Sequence, residues 1–169
     1  MTYSSGTKAK LVAGRLALDF INTADWDEGG EVLKDRIATI KDLQSWQQQA
    51  GLPEAHWDGS LDQLRDFRRQ LRLAILGGRA ADLPINLGGT ATPLLPWLRQ
   101  QSLRDLITIS ALSVLADPRE LNRVKMCPGH DCGWVFLDET KNARRKWCLM
   151  EVCGNRAKST RHYARKVAS

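Results

Sequence analysis

The chain has 169 residues, of which 43% are hydrophobic and 26% charged, a composition that supports a buried core and excludes a disordered chain. No run approaches the ~20 apolar residues of a membrane helix, and the opening MTYSSGTKAK lacks the apolar stretch and cleavage site of a signal peptide, so a cytoplasmic protein without a membrane partner is expected. The formal charge of +6 is unevenly placed: residues 1–118 hold 13 Lys/Arg and 14 Asp/Glu, whereas residues 119–169 hold 12 and 5, together with all four cysteines.

This shift in composition divides the chain into a near-neutral body, 1–122, and a basic cysteine-bearing end, 123–169. In the body, GRLALDFINTAD places Leu16, Leu18, Phe20 and Ile21 in an apolar run that fits a short strand or a buried helix, with helix favoured. Asp19 and Asn22 interrupt that run. Burying either one unpaired costs ~1–3 kcal/mol, so each is expected to tether neighbouring backbone or, in a sharper reading, to line a small-ligand pocket. Thr39 then precedes IKDLQSWQQQA, with Asp42 at the capping-box position, Ile40, Leu43 and Trp46 on one face, and Gly51 as a stop.

Ser60 and Gln63 open LDQLRDFRRQLRLAILGG, where Leu61, Leu64, Phe67 or Arg68, Leu71 and Ile75 recur at helical spacing and Gly77-Gly78 ends the run. The following 79–100 segment mixes Pro, Gly and Thr and reads as a loop or short irregular strand. SLRDLITISALSVLADP returns to helical periodicity, apolar enough to be central, and stops before Pro118. The expected fold class is mainly α, with a helical body followed by a small treble-clef or ribbon-like finger.

The finger is suggested by Cys127, Cys132, Cys148 and Cys153, two pairs of equal spacing. Two tight turns, each contributing two thiolates, complete the tetrahedron that Zn2+ accepts. Disulfides, catalytic thiol chemistry and an iron–sulfur cluster are the competing readings. A reducing cytosol disfavours the first, and symmetric pairs around a hairpin favour structural zinc over the cluster. His130 is expected to be a spectator. Between the pairs, 134–137 reads as a strand, 138–142 as a turn and 144–147 as a returning strand, with a helix from Cys153 onward. Trp134, Phe136 and Trp147 are expected to shield the thiolates. Because so small a module depends on its metal, Cys148→Ser is expected to unfold 123–169 alone.

Residues 141–169 carry nine Lys/Arg against one acid, Glu151. Lys141, Arg144, Arg145 and Lys146 form one cluster. Lys158, Arg161, His162 and Arg165 share a face of the last helix with Lys166 beside them, leaving Ala157, Thr160, Ala164 and Val167 to pack on the other side. Such clusters neutralise phosphate, so DNA is the expected partner, with RNA or an acidic protein as alternatives. A homodimer and a small-molecule effector are compatible with the body. No nucleophile elbow, phosphate-binding glycine loop or metalloprotease motif is present, and His56 reads as a surface-loop residue, so no enzyme is expected.

Cys153-Gly154-Asn155-Arg156, with upstream Cys132-Gly133-Trp134-Val135-Phe136-Leu137-Asp138 and Arg145-Lys146-Trp147-Cys148, closely resembles the CGNR zinc finger over about 123–166. Leu16-Ala17-Leu18-Asp19-Phe20-Ile21-Asn22-Thr23 and the helices after it resemble the ABATE domain that commonly precedes this finger. The resemblance implies a bacterial, stress-induced transcription regulator whose four cysteines hold zinc, whose finger meets DNA and whose body senses a ligand. Asn155 and Arg156 match the signature, and Arg156 is expected to brace the finger rather than read DNA.

Overall fold

A helix of six residues, α1 (Leu16–Ile21), lies at the centre of the molecule with Ala17 to Ile21 all buried. The computed structural model describes residues 11–79, 83 and 101–167. The opening MTYSSGTKAK lies outside them, as does most of the expected loop at 79–100. The helical reading of LALDFI therefore holds, and the run is apolar on every side because α1 is enclosed on several sides.

Directly after α1, β1 (Ala24–Trp26) pairs antiparallel with β2 (Val32–Asp35), with a bulge between Asp25 and Trp26. The turn between them, Asp27-Glu28-Gly29-Gly30, is fastened by the Glu31 amide donating to Asp27 Oδ1 at 2.8 Å. Two longer helices follow: α2 (Ile40–Gln49), capped by Thr39 and Asp42, and α3 (Leu61–Gly77), capped by Ser60 and Gln63, both through reciprocal capping boxes. Gly78 ends α3 in the left-handed region at φ +65°, which glycine adopts without strain. The apolar stripes meet at Phe20, whose ring centroid lies 5.6 Å from Trp46 and 5.7 Å from Phe67. On the expected face of α2, Leu43 and Trp46 are buried but Ile40 is exposed.

The third long helix, α4 (Leu103–Ala116), packs against α1 and α3. Asp117 caps the short α5 (Pro118–Leu121), which leads into β3 (Val124–Met126). Strand β3 pairs antiparallel with β4 (Val135–Leu137) in the register Val124↔Leu137, Lys125↔Phe136, Met126↔Val135. The hairpin of the finger is thus formed across the first cysteine pair. The expected returning strand at 144–147 is absent. Those residues are held in a loop by side chains instead: Lys125 Nζ donates to Ala143 O at 2.5 Å and Arg145 O at 3.2 Å, and Arg123 donates to the carbonyls of Asp138 and Thr140. A π-helical turn at Met150–Gly154 then leads into α6 (Asn155–Val167).

Among the described residues the fold is mainly α with two small antiparallel sheets, and no helix is long and apolar enough to cross a membrane. Residues of the body and of 123–153 belong to one continuous buried cluster, running from Ala13 and Phe20 through Trp26 to Trp134, Phe136 and the four cysteines.

Candidate metal centre and basic surface

The four cysteines are buried free thiols whose sulfur atoms all lie within 4.8 Å of one another. Cys132 Sγ is 3.6 Å from Cys148 Sγ, which is 3.7 Å from Cys153 Sγ. A tetrahedron with metal–sulfur bonds of ~2.3 Å has sulfur–sulfur edges of ~3.8 Å, so this donor set has the size and the chemistry for one thiophilic divalent ion. His130 stands outside it, 86% exposed, with Nδ1 2.7 Å from Asp131.

Local backbone makes the cluster. Between β3 and β4 the Cys127 amide donates to Trp134 O at 2.7 Å and the Cys132 amide to Gly129 O at 3.2 Å, closing a turn that presents both sulfurs on one side. The second pair comes from the loop before the π-helical turn, where the Cys148 amide donates to Cys127 Sγ at 3.5 Å. A Cβ at Gly129 would stand 2.9 Å from Cys153 Sγ, so the first turn approaches the fourth ligand as closely as its backbone permits. Packed this closely, the four sulfurs do not ionise independently. Hydrogen bonding with Cys132, Cys148 and Cys153 holds Cys127 below the usual thiol range, whereas Cys127 pushes both Cys132 and Cys148 above it. Only a cation at the centre makes four thiolates there compatible.

The expected shielding aromatics have more specific tasks. Trp134 is buried and its indole N–H donates to Asp25 Oδ1 of β1 at 2.8 Å. Phe136 is fully buried beneath the Arg145 guanidinium, 4.3 Å from the ring centroid. Trp147 is half-buried, with Lys146 Nζ 5.2 Å from its ring.

Residues of the body continue the seam around the first turn. The Trp26 amide donates to Cys132 O at 3.2 Å, Arg72 donates to Gly133 O at 2.8 Å, and the Leu137 amide donates to Ala13 O at 2.8 Å. Gly133 has φ +56°, and a Cβ there would stand 2.6 Å from Trp26 O, so glycine alone allows this approach. Asn22 grips Val135 at both ends, donating to its carbonyl at 2.8 Å and accepting from its amide at 2.9 Å. Asp19 accepts the amides of Val12 and Ala13 at 2.8 and 2.9 Å. Burial raises its carboxyl above the ordinary value, in spite of those two donors and the nearby Arg145. Both residues thus take the tethering role, their polar atoms engaged by backbone.

The basic residues separate into two kinds. Arg145 donates to Val12 O at 2.9 Å, Cys148 O at 2.6 Å and Trp147 O at 3.2 Å. It is an internal brace and leaves the list of phosphate contacts. Lys141, Arg144 and Lys146 are exposed. On α6, Lys158, Arg161, Arg165 and Lys166 are exposed, and so is every side chain from Lys158 to Lys166, including Tyr163 at 67%. The expected packing side of this helix is corrected accordingly: Thr160 and Ala164 meet solvent as the basic residues do. Arg156 donates to His130 O at 3.1 Å and so braces the first turn, as the sequence suggested. Asn155 donates to Glu151 O at 3.1 Å.

Asp25, Trp26 and Arg72 escaped the sequence reading, as did the close approach that Gly133 permits. Gly133 was marked only by its place directly after a ligand cysteine, and Arg72 only by standing four residues after Arg68 beside the apolar face of α3. Residues 123–166 match the CGNR zinc finger, and residues 14–118 match ABATE, described as “Putative stress-induced transcription regulator”. Comparison with curated proteins finds no match. Since the second match spans more than half of the chain, from the start of α1 to the start of α5, the chain belongs to the ABATE family and continues into a CGNR zinc finger.

Proposed function

We propose that the protein is a zinc-dependent, DNA-binding transcription regulator of the bacterial cytoplasm, without catalytic activity, in which 123–169 supplies the DNA contact. The observation that carries this reading is α6: it leaves the cysteine cluster as a helix exposed from Lys158 to Lys166, with Lys158, Arg161, Arg165 and Lys166 on it and no acidic residue. Cys127, Cys132, Cys148 and Cys153 would hold the zinc, which supplies charge neutralisation of the thiolates and a cross-link between the two turns. The chain's own residues then do the recognition. Lys141, Arg144 and Lys146 add cations from the loop, and phosphate neutralisation releases counterions. Lys158 and Arg161 are exposed on α6 and would be available to base edges in a major groove of ~12 Å width.

The test is binding of the zinc-loaded full chain to a labelled duplex of random sequence and to single-stranded RNA across a salt series, repeated after chelation. Duplex binding that weakens with salt and is lost with the metal is expected. Preference for single-stranded RNA would transfer the reading to RNA, and absence of nucleic-acid binding at low salt would favour an acidic protein partner.

A further inference from the structure

Arg72 is a buried cation, and among the described residues none of its direct contacts is a carboxylate. Its side chain reaches from α3 toward the first cysteine turn, and the residue is 4% exposed. Its contacts are all neutral: the Gly133 carbonyl at 2.8 Å, the Met126 thioether at 3.3 Å, and the face of Trp26, 4.8 Å from the ring centroid. One turn earlier on the same helix, Arg68 has what Arg72 lacks, a carboxylate: Asp35 accepts both of its terminal nitrogens, at 3.0 and 2.5 Å. Among the described residues no carboxylate lies within ion-pair distance of Arg72, although Asp27 attracts it from further away. A buried guanidinium with no adjacent anion is costly.

The missing charge is adjacent. Gly133, which accepts from Arg72, directly follows Cys132, and four thiolates around one divalent ion carry a net charge of −2. We propose that Arg72 is the body's counter-ion to the metal–thiolate centre, so that helix α3 and strand β1 respond to whether the centre is filled. The inference rests on the tetrathiolate zinc reading above. With the ion bound, the guanidinium faces a dianion across one residue of backbone. With the ion removed, the cross-link that holds the first cysteine turn, and with it Gly133 O and Met126, against the guanidinium is gone, and Arg72 is left as a buried cation in the body core, stacked on Trp26. Metal occupancy and folding of the body are then linked, and the linkage is reciprocal: whatever stabilises the α3–β1 packing raises metal affinity by the same factor.

The experiment compares the full-length protein with Arg72→Met and Arg72→Lys. Zinc affinity is read by competition with a chromophoric chelator, and thermal unfolding is followed with and without zinc. Arg72→Met should weaken zinc binding tenfold or more while leaving the metal-free protein as stable as the parent or more so, because the variant removes an uncompensated charge from that state. Arg72→Lys should keep zinc affinity within about threefold of the parent, about half of the ~1.4 kcal/mol that a tenfold change represents. Equal loss of melting temperature with and without zinc, at unchanged zinc affinity, would show a packing role only and overturn the proposal. Should Arg72→Met fail to fold, Arg72→Gln carries the same comparison. A parent protein that binds no zinc, and gives no thiolate charge-transfer band with cobalt, would instead remove the tetrathiolate reading itself.

Discussion

Asn22 holds the two halves of the molecule together with both ends of one amide, a pairing that no other uncharged side chain of its length supplies. Replacing it by Ala orphans the buried amide and carbonyl of Val135, so Asn22→Ala should lower stability by about 1–3 kcal/mol in urea unfolding of the metal-loaded protein. Asp35 poses a different electrostatic problem. Its burial would raise the carboxyl, but hydrogen bonds and charge from Arg68, the Ile37 amide and Arg65 together hold it below the ordinary carboxylate value. The stability it contributes is therefore present above its unfolded pKa of ~3.9 and is lost as pH falls through the lower folded value. Asp35→Ala leaves the fully buried Arg68 unpaired and should cost about 3–5 kcal/mol at pH 7, with acid unfolding below about pH 4 correspondingly flattened. Asp138 adds to the same acid sensitivity. Burial works against its charge, yet Lys125 and Thr140 outweigh that and hold the carboxyl low. The Asn22–Val135 and Arg68–Asp35 pairings were not legible in the sequence, because partners 113 and 33 residues apart leave no local pattern.

Helices were read well where the chain carries its own boundary chemistry. Thr39 with Asp42 and Ser60 with Gln63 announce α2 and α3, and Gly78 closes the latter. Of the strands only β4 was anticipated, from the run 134–137, because three or four residues are too few to show a period and their pairing is imposed from outside. Strand β4 meets β3 across a cysteine turn and α1 on its other side, and the Asp27–Gly30 turn was the one local sign of β1 and β2. The last helix was located correctly, but its amphipathic reading failed: alternating small and basic residues satisfy a helical period whether or not anything covers the small ones. An uncovered helix of 13 residues is marginal in water, and repulsion among its cations opposes it further. Helical circular dichroism of the zinc-loaded protein should therefore rise when duplex DNA is added, and rise with salt in the absence of DNA. Arg161→Glu with Arg165→Glu should abolish tight duplex binding while leaving the melting temperature within a few degrees. Neutralising the same pair to Gln should reduce the log–log salt slope by up to ~1.8.

At the scale of the whole molecule, the seam from Ala13 to Leu137 makes the cysteine turns part of the body's core. The expected selective unfolding of 123–169 in Cys148→Ser is thereby revised, since loss of the metal withdraws support from Trp26, Trp134 and the Asn22 linkage together. Chelation or Cys148→Ser should lower the unfolding temperature of body and finger in one transition, detected as coincident loss of helical signal and of tryptophan burial. What the cysteine spacing carried was the gathering of four sulfurs into one cluster; what it could not carry was the docking of that cluster onto α1, β1 and α3. The length of α6 also limits what one molecule can achieve on a genome. Thirteen residues extend ~20 Å, about six base-pair steps of ~3.4 Å, and a word of six letters recurs by chance about once in 4,000 base pairs, against ~10⁶–10⁹ competing sites. If the proposed DNA contact is made by this one helix, it carries too little information to address a promoter alone, and selectivity would fall to whatever sets two such helices at a fixed spacing.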